Sequence, residues 1–238
     1  LRQARDGLVD TGLLAREHRP VAIGVAVLRM AMARERVEYH GETLELPLPD
    51  GPGKALKLTI GTVQDRIPIY IAAIGPKNTQ LAGEIADGVI PTLFSPEHVA
   101  VMRDELQTGV DRAGEGKTLD DVEIAPGVQV YVGEDAEAAR DLMRPFIALY
   151  VGGMGSRKQN FYNQLAVRMG FDEAAAEVQD KYLARDYDGA AAAVPFEFID
   201  STSLIGPPER VQERLHALAE AGVTTLSVAT YAASLDER

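Results

Sequence analysis

The sequence predicts an α/β fold whose strands form a parallel sheet or barrel, and three observations predict it. Residues 67–74 and 89–94 are apolar without alternation, which is typical of strands that are covered on both faces. Helical patterns separate the apolar runs, as they do between the parallel strands of α/β proteins. A helix followed by a strand recurs at 205–230, near the end of the chain.

The elements that precede the first of these strands are predicted as follows. Residues 21–37 are rich in helix formers and apolar around most of a helical circumference, which predicts a buried helix. Residues 39–53 contain several Gly and Pro residues, which predict a short hairpin or an extended loop. Residues 54–61 are a candidate for one further short strand.

A strand–turn–helix–strand unit follows. Gly75-Pro76 ends the strand at 67–74, and residues 77–86 carry apolar side chains at helical spacing. Asp87-Gly88 then forms a turn before the strand at 89–94, and the turn is the better explanation of this aspartate.

The rest of the chain repeats the same alternation. Ser95 is predicted as the N-cap of a helix that has Pro96 at its first position. A later helix is predicted to kink or end near Pro145. In order, the predicted elements are a helix from 95 to 114, a strand at 122–133, a helix at 134–155, helices and loops at 156–198, a helix at 205–222 and a strand at 223–230.

Composition limits the classes of function. The 238 residues include 24 basic and 36 acidic side chains, a net charge of −12, which disfavours binding to nucleic acid or to anionic membranes. The absence of cysteine excludes disulfides, thiolate nucleophiles and Cys-ligated metals. No apolar run approaches 18 residues, so the sequence predicts no membrane span, and the cytoplasm is the expected compartment.

The carboxyl ends of the predicted strands are the candidate site, because ligands of parallel α/β folds bind there. Ala72, Ala73, Ile74 and Gly75 end the first strand, where small residues let a phosphate or a flat ligand approach the backbone. The next helix offers free N–H groups to an anion. Thr92 supplies a hydroxyl at the end of the second strand. By pattern alone, an ordinary strand-to-helix turn is the better explanation of the stretch that ends at Gly75, and a local hydrogen bond explains Thr92 equally well.

No motif identifies a catalytic group or a metal site. The four histidines form no zinc pattern, and His98 and His216 are predicted to lie on helix surfaces. Neither a P-loop nor a nucleophile elbow is present. The glycine-rich residues 152–155 follow a helix rather than a strand, which excludes a dinucleotide fingerprint there. The residues alone predict an α/β domain with a candidate phosphate site near Gly75.

Three stretches resemble one known family. Residues 68–98, "PIYIAAIGPKNTQLAGEIADGVIPTLFSPEH", are similar to the middle of luciferase-like monooxygenase family proteins, and most of all to the branch that uses the deazaflavin coenzyme F420. Residues 148–166 and 201–228 resemble later parts of the same family, so the resemblance covers about 25–230.

The resemblance implies a TIM barrel with insertions and a cofactor across its C-terminal face. It implies that the backbone of Ala72, Ala73, Ile74 and Gly75 meets the cofactor's phosphate-bearing tail, and that Thr92 is a polar cofactor contact. Many relatives have glycine where Ile74 stands, and isoleucine narrows the approach. Some relatives carry a basic residue where Ser95 stands, so its absence disfavours a phosphosugar substrate.

The resemblance also implies that the barrel is incomplete. The family barrel has eight strands, of which the last four can be assigned here, together with a helical insertion. We therefore expect residues 1–238 to form one N-terminally incomplete barrel domain, in which 1–22 do not follow the family pattern. Open sheet edges then predict self-association into a homo-oligomer.

The implied function is hydride transfer between F420 and a small organic molecule. One alternative is a monooxygenase that uses FMN and oxygen. Another is a half-barrel that binds cofactor without turnover. The catalytic residues are not assigned.

Overall fold

Parallel strands covered by helices form the centre of the computed structural model, which describes residues 19–114 and 116–231 and confirms the predicted α/β fold. The helices are α1 (Arg19–Met32), α2 (Pro76–Ile85), α3 (Val99–Ala113), α4 (Ala136–Ala148), α5 (Phe161–Arg168), α6 (Asp172–Leu183), α7 (Tyr187–Ala192), α8 (Phe196–Thr202) and α9 (Pro208–Glu220). The strands are β1 (Tyr39–His40), β2 (Glu45–Leu46), β3 (Tyr70–Ala72), β4 (Gly88–Ile90), β5 (Glu123–Ile124), β6 (Gly127–Val132), β7 (Ser203–Gly206) and β8 (Ser227–Thr230).

The strands form two parallel three-stranded ladders, β3-β4-β5 and β7-β6-β8. Isolated parallel bridges between Thr92 and Gly127, and between Ile124 and Val223, connect the ladders. The strands predicted from the sequence therefore lie side by side, and their carboxyl ends share one edge.

The strand predicted at 122–133 is two strands. β5 and β6 are separated at Ala125-Pro126, because proline has no N–H to donate to a ladder. β5 pairs with β4, whereas β6 pairs with β7 and β8. The sequence did not predict β7, whose four buried residues lie partly where a helix was expected from 205; that helix begins at Pro208.

The first elements agree in part with prediction. The hairpin is confirmed, since Tyr39 pairs with Leu46 in an antiparallel ladder. Residues 54–61 form no strand and contribute one bridge, between Val37 and Leu56. The helix predicted at 21–37 ends at Met32. The segment predicted to depart from the family pattern, 1–22, lies largely outside the described residues.

Pro145 does not end its helix. α4 continues to Ala148 and then widens into a π-helical turn, Leu149–Gly153. Gly152 and Gly153 let this turn pack against Tyr182 of α6, because a Cβ at either glycine would overlap that side chain. The glycines at 152–153 therefore serve helix packing.

Two apolar cores cover the sheet and its insertion. In the first core, Val89 and Ile124 on the strands pack against Leu106 of α3. Gly83 and Gly109 bring α2 and α3 into backbone contact, because a Cβ at either residue would overlap the carbonyl group of the other helix. The second core lies among α4–α8, and the predicted helical region at 156–198 is thereby confirmed.

Asp87 is a structural residue of the turn before β4. Its carboxylate accepts hydrogen bonds from the Ile69 N–H at 2.7 Å and from Arg29 Nη2 at 2.8 Å, and it also pairs with Arg66. These contacts confirm the turn role and connect α1 to the sheet. Within the described parts of the chain, no helix is long and apolar enough to cross a bilayer.

Candidate functional site

The four predicted contact residues after β3 occupy different environments. Ala72 is exposed, whereas Ala73 is buried and donates its N–H to the Ile90 carbonyl at 3.3 Å. Ile74 is half-buried. Gly75 is the N-cap residue of α2, and its carbonyl accepts the Thr79 N–H at 3.0 Å. The chain therefore turns from strand to helix within three residues.

Gly75 has an ordinary backbone conformation. Its φ of −88° and ψ of 154° are open to any residue, so the turn does not use the conformational freedom of glycine. A Cβ at this position would meet Phe161 Cδ1 at 3.8 Å, a normal contact. Because Phe161 Cδ1 is the one atom of the described residues, apart from those near Gly75 in the chain, that lies within 4 Å of that Cβ position, the space above Gly75 is open to a ligand.

Thr92 lies just beyond β4 at the same edge of the sheet. It is half-buried, and its backbone bridges to Gly127 at the start of β6. The next residue, Leu93, has a φ of +53°, a left-handed conformation that is uncommon for leucine. Its buried side chain belongs to the core of the insertion. The strained turn after Thr92 is therefore held in place by packing.

A cleft brings two of the predicted residues together. The empty space in and around it, which includes open solvent, is about 650 Å³, and both Ile74 and Thr92 line the cleft. Ala72, Ala73 and Gly75 are not among its lining residues, so the predicted set does not form one continuous surface. The walls are mostly apolar, and the polar side chains that line the cleft are Thr79, Thr92, Ser95, His98, Glu105 and Arg168.

Arg168, at the end of α5, lines the cleft and was not among the residues predicted from the sequence. Its Nη2 donates to the Ile74 carbonyl oxygen at 3.1 Å, although 94 residues separate the two. Burial lowers the pKa of Arg168, an effect that Glu105 opposes. A guanidinium has five N–H donors, so this contact leaves others for an anion in the cleft.

The turn after β4 differs from prediction. Ser95 does not cap the helix with its side chain; the buried hydroxyl donates to Glu97 Oε2 instead. His98 is not a surface residue, because it is half-buried, lines the cleft and has Nδ1 3.3 Å from Ser95 Oγ. His216 is exposed, as predicted.

Glu97 connects this turn to α9. It pairs with Arg214, whose Nη2 also donates to the Ser201 carbonyl at 3.0 Å. Burial raises the pKa of Glu97, but the hydrogen bonds from Arg214, Ser95 and the backbone outweigh burial and lower it to about 2. Glu97 is therefore a carboxylate throughout the ordinary pH range. Among the described residues, no group of three or more His, Asp or Glu side chains could hold a metal.

The cleft has the chemistry of a small-molecule site. Its apolar walls suit a flat or hydrocarbon body, and a few polar groups at its edge can orient that body. An anion would find a guanidinium at the side formed by α5. Among the described residues, no pair of carboxyl groups suited to acid–base chemistry lines the cleft.

Comparison with known proteins identifies the family. The sequence model of the luciferase-like monooxygenase family matches residues 24–225. A Mycobacterium tuberculosis protein named as a candidate coenzyme F420-dependent oxidoreductase is 35% identical over 209 residues, which are 86% of this chain and 60% of that protein. The 5,10-methylenetetrahydromethanopterin reductase of Archaeoglobus fulgidus is 30% identical over 84% of this chain and 56% of its own length.

Solved structures agree with the sequence comparisons. The coenzyme F420-dependent tetrahydromethanopterin reductase of Methanopyrus kandleri superimposes with a TM-score of 0.70 at 25% identity, over 91% of this chain and 58% of that one. The chain thus spans a little over half the length of the relatives it matches.

Proposed function

Because the chain belongs to the luciferase-like monooxygenase family, we propose that it forms the cofactor-binding part of an F420-dependent oxidoreductase that acts on a small organic substrate. The single observation that carries the cofactor choice is that both sequence relatives described above and the matched structure are named for F420 or for a reductase of the same kind. When bound, F420 supplies hydride chemistry at its deazaflavin ring.

The residues at the strand ends fit the tail of such a cofactor. The open space at Gly75 lets a phosphate approach the backbone, and Thr92 offers a hydroxyl at the same sheet edge. Arg168, whose guanidinium donates to the Ile74 carbonyl, adds positive charge beside this turn. In this proposal Ala72, Ala73, Ile74, Gly75 and Thr92 bind the cofactor tail, and Ile74 restricts how closely it approaches.

We further propose that the described strands are the carboxyl-terminal half of a barrel. The shares of 60%, 56% and 58% of the relatives' lengths support this arrangement. The sheet face turned away from α2 and α3 also supports it, since Ile90 is 39% exposed there while its neighbour Val89, on the helix side, is fully buried. An open sheet face with an exposed isoleucine favours association with a second copy, and a cytoplasmic homo-oligomer is our proposal.

The substrate is proposed to be a small molecule without a sugar phosphate. Ser95 stands where some relatives carry a basic residue, and its hydroxyl donates to Glu97. The acidic net charge of −12 supports the expectation that nucleic acid is not a partner.

Titration with F420 and with FMN tests the cofactor. Fluorescence of each cofactor is followed while the protein is added at one salt concentration. We expect F420 to bind at least tenfold more tightly than FMN, and tighter binding of FMN would instead favour the monooxygenase alternative. Loss of oxidised-deazaflavin absorbance on addition of a small organic substrate then tests turnover, and reduction of the bound F420 would exclude the non-catalytic alternative.

A further inference from the structure

Three side chains of the turn between β4 and α3 form, together with Arg214 of α9, a row of hydrogen bonds that ends at the cleft. Arg214 pairs with Glu97, Glu97 accepts from Ser95 Oγ, and Ser95 Oγ lies 3.3 Å from His98 Nδ1. His98 lines the cleft, whereas Arg214 lies on α9 and is fastened to the end of α8 through the Ser201 carbonyl. These hydrogen bonds therefore connect α8 and α9 to His98, which lines the cleft.

The direction of each hydrogen bond follows from the charge at one end. A guanidinium only donates, and an ionised carboxylate only accepts. Since Arg214 and the hydrogen bonds around Glu97 hold its pKa near 2, the Ser95 hydroxyl must give its proton to Glu97. Because its proton is donated to Glu97, Ser95 Oγ can only accept a hydrogen bond from the His98 ring. His98 Nδ1 must therefore carry a proton.

We propose that Arg214, Glu97 and Ser95 hold His98 in the Nδ1–H tautomer, so that Nε2 accepts a hydrogen bond from a hydroxyl or amide N–H of the molecule bound in the cleft. His98 is the residue that touches the ligand. Ser95, Glu97 and Arg214 are positioning residues, and they act by fixing which ring nitrogen is the acceptor.

Burial of Ser95 stabilises its hydrogen bonds with Glu97 and His98. Ser95 is 2% exposed, so water cannot readily replace either of its partners. The backbone adds a second constraint, because the His98 N–H donates to the Ser95 carbonyl at 3.1 Å and fixes the turn that carries both side chains. A ligand donor would therefore meet an acceptor that is already oriented.

Nitrogen-15 spectra of the histidine rings test the tautomer directly. Spectra are recorded at about pH 8.5, above the ordinary histidine pKa of about 6.5. The exposed His216 serves as a reference within the same sample and should show mainly the Nε2–H form that imidazole prefers in water. We expect His98 to be mainly Nδ1–H and to change to mainly Nε2–H in Ser95→Ala. A His98 that is mainly Nε2–H in the unaltered protein, or unchanged in Ser95→Ala, overturns the proposal.

Binding of F420 tests the ligand contact, and this arm rests on the proposed function. His98→Leu removes the acceptor and should weaken F420 binding about fivefold, the effect of one hydrogen bond. His98→Gln keeps an amide near the position of Nε2 and should stay within about twofold, as should the control His216→Gln. Equal affinity of His98→Leu and the unaltered protein overturns the ligand contact. If F420 does not bind at all, the proposed cofactor is wrong, and the ring spectra alone decide the tautomer.

Discussion

Arg168 Nη2 donates to the carbonyl oxygen of Ile74 at 3.1 Å and so fastens the helical insertion to the turn after β3. In a trans peptide group the N–H points opposite to the C=O. The N–H of Gly75, which belongs to the same peptide group as that carbonyl, is therefore aimed away from Arg168. The insertion thus sets the direction of a backbone donor at the proposed cofactor site.

Replacement of Arg168 should weaken cofactor binding. Arg168→Met removes both a charge-assisted hydrogen bond and a cation near the cofactor phosphate, and we expect F420 affinity to fall about tenfold, or ~1.4 kcal/mol. The control Lys158→Met removes the same charge from an exposed position of the same insertion. Fluorescence titration measures both variants. Equal losses in the two variants would mean that net charge, rather than the contact with Ile74, is responsible.

Close contact between α2 and α3 should make Gly109 intolerant of a side chain. A Cβ there would overlap the Gln80 carbonyl, so Gly109→Ala should lower the free energy of unfolding by at least about 2 kcal/mol. Gly24 is also helical, but a Cβ added there would have no atom within 4 Å, so Gly24→Ala should be neutral or stabilising by up to about 1 kcal/mol. Urea denaturation compares them, and similar losses of stability would contradict the packing described for the two helices.

Lys117 should make stability rise at alkaline pH. Its Nζ donates to the Ala86 carbonyl at 2.8 Å, and burial lowers its pKa from 10.5 to about 8, with Arg29 and Arg66 adding to the effect and Asp87 opposing it. Between these values the unfolded chain keeps a proton that the folded protein has released, so the free energy of unfolding increases with pH.

The increase is measured as the difference between the unaltered protein and Lys117→Met from pH 7.5 to 9.5. It should be well below the one-proton limit of about 1.4 kcal/mol per pH unit, because Lys117 is only half-buried and solvent screens it. A difference that is flat or falls with pH would show that the lysine is not desolvated.

The open face of the sheet should cause self-association. Sedimentation velocity over a range of concentrations should detect oligomers, and Ile90→Lys should reduce them by placing a charge on that face. Leu142 of α4 is 57% exposed on a different surface, so Leu142→Lys is the matched control. A protein that is monomeric at every concentration would contradict the proposed half-barrel.

The sequence predicted the part of the fold that depends on local pattern. Residues 67–74 and 89–94 have continuous apolarity, and Gly75-Pro76 ends the first of them, so β3, α2, β4 and α3 could be placed in order. β7 could not be placed, because four buried residues between two helices carry no periodic signal. Its partner is β6, about 70 residues earlier in the chain, and such pairing has no local signature.

The candidate site was predictable only where it consists of strand ends. Ile74 and Thr92 were found because ligands of parallel sheets bind at those ends. Arg168 was missed because its role depends on how α5 folds back over the sheet. His98 was assigned to the surface because it lies in a predicted helix, whereas its ring contacts the buried Ser95 and lines the cleft.

Titration of Gly75→Val with F420 tests whether the backbone at Ile74 and Gly75 binds the cofactor. A Cβ at Gly75 makes only a normal contact with Phe161, and urea denaturation checks that the variant keeps its fold. We expect its affinity for F420 to fall at least tenfold, because the branched side chain fills the space of the phosphate. A folded Gly75→Val protein that binds F420 as tightly as the unaltered protein would contradict the account.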